Sequence, residues 1–286
     1  MLIVTHQAPD LDAIASTWLL LRFDNQHYGG SRVAFVPAGT SLSDEHAQEL
    51  GYTPDQVTHV DTGLGPFDHH MPERAGREYS ATRLVYDYLL RIHPEYATDQ
   101  ALKLVVDHVT DIDHFGEIYW PDANHPRYEF MLHQIISAMD STATHDDQYQ
   151  LELGCRLLDF VYASMKNYVR ALAKLAEGIT FPLASGGEGF AILTGNEEIL
   201  PVAQKAGYQL VIKKDKRTGH VRIKARPDAP FTLAAVADLI KQRDQTGTWY
   251  YHPSGKMLIN GSRKGPQHTA SPLTLDELVG IVKQVL

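Results

Sequence analysis

The stretch Leu2-Ile3-Val4-Thr5-His6-Gln7-Ala8-Pro9-Asp10-Leu11-Asp12-Ala13-Ile14-Ala15-Ser16 decides how this chain begins to fold. Leu2-Ile3-Val4 is a short apolar run of the kind that forms a buried strand, and from Ile14 to Phe23 apolar residues recur with helical period. His6, Asp10 and Asp12 therefore fall on a tight loop at the carboxyl end of a strand, where open α/β sheets bind ligands. One imidazole and two carboxylates within seven residues make a hard, partly nitrogenous donor set, suited to manganese, magnesium, iron or zinc. An ordinary turn at Pro9-Asp10, with Asp12 capping the helix, explains the same loop without a ligand.

Two further clusters tip the balance toward a site. Val57-Thr58-His59-Val60 is strand-like and ends in Asp61, and Asp68-His69-His70 begins seven residues later. A third cluster holds Asp107, His108, Asp111, Asp113 and His114. Two of the three stand at strand ends, a placement that solvated surface does not explain. Arg32–Val36 reads as another strand, so strands and helices alternate up to Asp61 and predict a parallel sheet. Ser80 is placed to cap a helix running to about Arg91, and a further helix is expected over about 98–108.

His6-x-x-x-Asp10-x-Asp12 with Ser16, then Asp61, Asp68-His69-His70 and Asp111 resembles the four-motif signature of the DHH phosphoesterase superfamily. That superfamily includes RecJ-type exonucleases, small-oligonucleotide and cyclic-dinucleotide phosphodiesterases, family II pyrophosphatases and exopolyphosphatases. The motifs cover roughly the first 115 residues, and Tyr79 to Tyr86 resembles the helix start that follows the third motif. The resemblance implies two manganese ions, with magnesium as a substitute. His6, Asp10 and Asp61 would hold one ion, and Asp12, Asp61, His69 and Asp111 the other, Asp61 bridging them. Asp68 would orient an imidazole and His70 would meet the substrate phosphate. The resemblance favours Asp111 as the fourth-motif ligand, while the residues alone leave Asp113 open. The short spacing from Asp61 to Asp68 leaves the branch undecided.

The 286 residues carry a net charge of -9 with a mean hydropathy of -0.26, as expected for a soluble globular protein of one or two domains. That charge argues against non-specific binding of long duplex nucleic acid. Twelve of the fifteen His lie in the first 145 residues, whereas a basic run occupies 213–226. Cations held by the first part and anions by the second would fit that asymmetry. Cys155 is the only cysteine, no apolar run reaches the ~18–20 residues that span a bilayer, and the first strand follows no basic lead. A cytoplasmic protein without a membrane partner is the expectation, and a homodimer is allowed.

The segment from about 126 to 176 reads as largely helical, and the glycine-rich stretch 178–189 as a boundary. The expected domains are 1–180, carrying the metals, and 187–286, a smaller α/β lobe that closes a cleft over the substrate. In that lobe Ser262-Arg263-Lys264 follows the apolar run Met257-Leu258-Ile259 and resembles the phosphate-binding triplet of family II pyrophosphatases. Arg grips a phosphate bidentately and Lys adds a point charge. Trp249, Tyr250 and Tyr251 could stack on a base or simply pack. The basic run 213–226 reads either as a solvated hairpin or as a wall for a polyanion.

These features predict an α/β phosphoesterase that hydrolyses a short phosphodiester with a two-metal-activated hydroxide. The substrate would be a di- or oligonucleotide or a cyclic dinucleotide. A pyrophosphatase or exopolyphosphatase is the alternative, and a non-catalytic nucleotide sensor is the alternative from another class.

Overall fold

A computed structural model describes residues 1–141, 146–261 and 268–286. Ser262, Arg263 and Lys264 lie outside the described residues. The fold is mixed α/β, in two compact units, Met1–Lys166 and Asn167–Leu286.

The first unit is built on a three-stranded parallel sheet in the order β2-β1-β3, where β1 is Leu2–His6, β2 is Arg32–Val36 and β3 is Val57–His59. Leu2, Ile3 and Val4 are fully buried, because a central parallel strand is covered on both faces. Helix α1 (Leu11–Phe23) follows directly, capped by the Asp10 carboxylate, which accepts from the backbone N–H groups of Asp12 and Ala13. Two short helices, α2 (Asn25–Tyr28) and α3 (Asp44–Glu49), complete the connections between the strands.

Helix α4 (Ala81–Ile92) starts at Ser80, whose Oγ accepts from Arg83 N–H as expected. Helix α5 (Gln100–Asp113) runs five residues beyond His108, where the sequence reading ends it. Residues 126–140 are a 3₁₀ turn followed by α6 (Leu132–Asp140). The long helix α7 (Asp147–Lys174) contains the division between the units.

The second unit carries a six-stranded mixed sheet in the order β4-β5-β6-β7-β9-β8. Its strands are β4 (Ile179–Pro182), β5 (Glu188–Leu193), β6 (Leu210–Lys214), β7 (Val221–Ala225), β8 (Trp249–Tyr251) and β9 (Met257–Asn260). Only β5 and β6 pair in parallel. Strand alternation sorts the side chains onto two faces. Phe190, Ile192 and Val211 pack with Ala171 of α7 and with α8 (Ile199–Lys205). Ala191, Leu210 and Ile212 pack on the other face with α9 (Ala234–Arg243) and α10 (Leu275–Val285).

The expected boundary at 178–189 differs from this division. That stretch holds β4 and the Gly186-Gly187 turn of a β-hairpin, with Phe181 buried in the second unit's core. Hairpin glycines and linker glycines look alike in a sequence. No helix among the described residues is long and apolar enough to cross a membrane.

Candidate metal centre

His6 ends β1, Asp10 and Asp12 open α1, and Asp61 follows β3 across the bridge between Val60 and Phe67. Parallel pairing of β1 and β3 brings these ends together. His6 Nε2 lies 3.3 Å from Asp61 Oδ2 and 3.9 Å from Asp10 Oδ1. His69 Nε2 lies 3.5 Å from Asp61 Oδ1, 3.5 Å from Asp113 Oδ2 and 3.8 Å from Asp12 Oδ2. Ligand atoms of His6, Asp10 and Asp61 form one group able to hold a cation, and those of Asp12, His69 and Asp113 another. Asp61 faces both, one carboxylate oxygen toward each imidazole, and also joins a group with His69 and His70.

Backbone amides hold the two carboxylates of the first loop. The buried Asp12 carboxylate accepts from Ala81 N–H (2.7 Å) and Thr82 N–H (2.9 Å), the free amides at the start of α4. Asp12 therefore does not cap its own helix; Asp10 does, while also joining the His6 group. Asp61 is only 3% exposed and adopts a left-handed backbone (φ 56°), a conformation that costs a non-glycine residue ~1–3 kcal/mol and clusters at functional sites. Ala8 in the first loop is also left-handed (φ 49°). Its N–H is held by Asp147 Oδ1 at 2.9 Å, and Gln150 Nε2 donates to Pro9 O, so the start of α7 pins the loop that aims His6 and Asp10.

Asp68 is buried and accepts from Leu64 N–H, His70 N–H and His70 Nδ1, the last at 2.8 Å. It fixes the orientation of the exposed His70 ring. Arg74 donates to the carbonyls of Gly65, Pro66 and Asp68 and holds this turn closed.

Asp111, expected as the fourth-motif ligand, is exposed and accepts from Trp120 Nε1 at 3.1 Å. Asp113 is the residue beside His69. Two residues of an α-helix are ~200° apart, so a helix that continues to Asp113 turns only one of the pair inward. His114 Nδ1, 3.2 Å from Asp113 Oδ2, supports that carboxylate, and its Nε2 lies 3.1 Å from Gly76 O.

The donor set fits divalent cations. Asp61 Oδ1, His69 Nε2 and Asp113 Oδ2 are buried without a hydrogen-bond partner among the described residues. Burial raises the carboxyls of Asp10, Asp12 and Asp113, and repulsion from Asp61 adds to it; Asp113 is pushed up to about 6. Burial alone would lower His6 and His69. The Asp61 carboxylate beside each, helped by the Gln7 carbonyl and Asp10 at His6 and by Asp113 and Asp12 at His69, raises both to about 9. Burial pushes Asp61 up, yet the imidazoles of His6 and His69 beside it bring it below the ordinary carboxylate range. The cluster thus holds protons tightly, as a carboxylate set short of positive charge must.

In the second unit the basic run 213–226 is largely engaged. Lys213 and Arg222 pair with Glu197, Lys214 donates to the carbonyls of Ser271 and Leu273, and Arg226 pairs with Asp228. Tyr250 and Tyr251 lie exposed on the edge strand β8. Both stems of the Ser262-Arg263-Lys264 segment are set by the buried Asn260 side chain. It donates to Thr248 O and Thr269 O and accepts from Ser271 N–H. Gly261 is left-handed (φ 80°), and a Cβ there would come within 2.2 Å of the His220 ring.

No protein-family profile matches the chain, and no curated protein sequence matches it. The solved structures it resembles include DHH-domain proteins and RecJ exonucleases. A DHH domain described as belonging to a family of ribosomal proteins aligns over 99% of this chain and 86% of its own length, at 12% identity and a TM-score of 0.33. RecJ from Thermus thermophilus in complex with Mn2+ aligns over 99% and 51%, at 12% identity and a TM-score of 0.32. An exonuclease RecJ bound to manganese aligns over 99% and 89%, at 10% identity and a TM-score of 0.31.

Proposed function

We propose that the chain is a metal-dependent phosphoesterase acting on a short phosphodiester, a di- or oligonucleotide or a cyclic dinucleotide. The observation that carries this is the convergence of His6, Asp10, Asp12, Asp61, His69 and Asp113, drawn from distant parts of the sequence, on two adjoining cation-binding groups. His6, Asp10 and Asp61 would hold one ion and Asp12, Asp61, His69 and Asp113 the other, with manganese as the first choice for a donor set mostly of oxygen with some imidazole. Two such ions, when bound, would supply Lewis-acid polarisation of the phosphoryl oxygens and activation of a water at neutral pH.

The chain's own residues do the rest. Asp61 sets the spacing of the two groups from a backbone held in a strained, fixed conformation. Asp12, locked by the amides of α4, and Asp113, backed by His114, keep His69 in place. Asp68 takes the Nδ1 side of His70, so Nε2 is the ring atom left for a phosphoryl or leaving-group oxygen. Ser262, Arg263 and Lys264 are proposed to grip a second phosphate. Their segment, with its fixed stems, is what favours the alternative reading of a phosphoanhydride hydrolase.

The test is product release by the manganese-loaded full chain given a linear dinucleotide, a cyclic dinucleotide, pyrophosphate and tripolyphosphate, with His69→Ala as control. Mononucleotide from the linear dinucleotide, lost in the control, is the expected result. Phosphate from the inorganic substrates alone would move the chain to the anhydride reading. Nucleotide binding without any hydrolysis would make it a sensor.

A further inference from the structure

Beside the candidate metal groups, and wholly within the first unit, a cavity of about 190 Å³ is walled by Asp10, Asp12 and Asp113 on one side. His133 and Asp140 of α6 line the same cavity, and Phe115 completes it. Positions seven apart lie nearly in line on a helix, so His133 and Asp140 share one face of α6 two turns apart. Both His133 ring nitrogens and Asp140 Oδ1 are buried without a hydrogen-bond partner among the described residues. An unmet buried polar atom costs ~1–3 kcal/mol, so each of these, on residues lining the same cavity, calls for a partner. Phe115 is left-handed (φ 55°) and 70% exposed, an aromatic side chain held in solvent by strained backbone at the edge of the cavity.

The size of the cavity narrows what fits. It exceeds the ~30 Å³ share of a single water several-fold, yet lies below the ~300–1,000 Å³ of pockets that enclose a whole drug-sized ligand. One ring-sized group is the match. The polar atoms narrow it further. Burial holds the His133 imidazole below its ordinary value, so at neutral pH it offers one donor and one acceptor. Asp140 offers an acceptor. A donor and an acceptor on His133 and a further acceptor on Asp140, all lining one cavity, complement the hydroxyls of a ring, whereas the negative charge of an inorganic phosphate would meet the carboxylates of Asp10, Asp12, Asp113 and Asp140 there. Ile112 and Ile136 supply apolar wall for the carbons of a ring.

We infer that this cavity is a ribose subsite, in which His133 and Asp140 hold the sugar hydroxyls of a nucleotide whose phosphate lies on the metal ligands and whose base meets Phe115. The inference rests on the phosphoesterase reading and deepens it, since it selects nucleotides over inorganic anhydrides and 2′-hydroxyl-bearing nucleotides over deoxy ones.

Calorimetry on the manganese-loaded full chain tests it with adenosine 5′-monophosphate and its 2′,3′-dideoxy counterpart. The parent is expected to bind the hydroxyl-bearing nucleotide roughly tenfold tighter or more, as sites built to bond a hydroxyl do. Asp140→Ala and His133→Ala are each expected to erase most of that ratio while manganese content stays at the parent level. Phe115→Leu is expected to weaken both nucleotides alike. Equal affinity for the two nucleotides in the parent, or a ratio unchanged in both α6 variants, overturns the subsite. Dinucleotide hydrolysis by that same parent would show that the phosphoesterase reading survives its loss. A parent that binds neither nucleotide and cleaves no ester removes both.

Discussion

Replacing Asp113 by Asn while separately replacing Asp111 by Asn sets the two fourth-cluster acids against each other. Asp113 Oδ2 lies 3.5 Å from His69 Nε2 in a buried cluster, whereas Asp111 is exposed on Trp120. At an effective dielectric of ~20 a unit charge ~4 Å from another is worth ~4 kcal/mol. Asn keeps an oxygen donor but loses the charge, so Asp113→Asn should weaken manganese binding ~100- to 1,000-fold, or ~2.7–4 kcal/mol at ~1.4 kcal/mol per tenfold. Asp111→Asn should stay within about threefold, because it perturbs one exposed hydrogen bond. A second quantity moves the other way. Burial, reinforced by Asp61 and Asp10, raises the Asp113 carboxyl to about 6. A raised acid contributes stability that is fully present below its unfolded value and is lost as pH rises through about 6. At pH 7 the ionised side chain therefore costs the metal-free fold, and Asp113→Asn should make the metal-free protein more stable. Titration calorimetry and urea unfolding of metal-stripped protein read the two numbers. Loss of manganese binding in Asp111→Asn with none in Asp113→Asn would refute the assignment. Weaker binding accompanied by lower metal-free stability would mark Asp113 as a structural residue.

With His6 and His69 raised to about 9 and Asp113 to about 6, manganese binding at pH 7 should expel about two protons, since ligands bind deprotonated. Binding heats that do not vary between buffers of different ionisation enthalpy would contradict this. Asp61→Gly and Asp61→Ala should both abolish metal binding, but metal-free Asp61→Gly should be ~1 kcal/mol the more stable, because glycine accepts the left-handed backbone; urea midpoints decide, and equal midpoints would deny the strain. In the second unit, burial pushes Asp244 up, but bonds from Ser271, Trp249 Nε1 and the N–H groups of Gly247 and Thr246 bring it to about 2. That depressed acid contributes ~2 kcal/mol, present above its unfolded value near 3.8 and lost as pH falls through about 2. Asp244→Asn should flatten the stability loss between about pH 4 and pH 2, and an unchanged slope would show that other groups carry it.

His6, Asp10, Asp12, Asp61 and His69 are legible in the sequence because each stands beside a strong local signal. An apolar strand precedes the first loop, another precedes Asp61, and the adjacent Asp68-His69-His70 leaves little freedom. Asp113 over Asp111 is not legible, since the choice depends on where α5 ends, and that end is poorly marked because the left-handed residue after the cap is Phe115 rather than a glycine. The division between the units is hidden for a related reason: it falls inside a helix whose pattern never breaks. His133 and Asp140 carry no motif at all. Their neighbourhood exists only once α6 is laid against the first loop and the end of α5.

The Asn260 side chain ties the end of β9 to Thr248, Thr269 and Ser271, its hydrogen-bond partners among the described residues. One buried amide thus fixes the described chain on both sides of residues 262–267. Related chains that keep Asn260 could differ in what they recognise there while keeping the same frame.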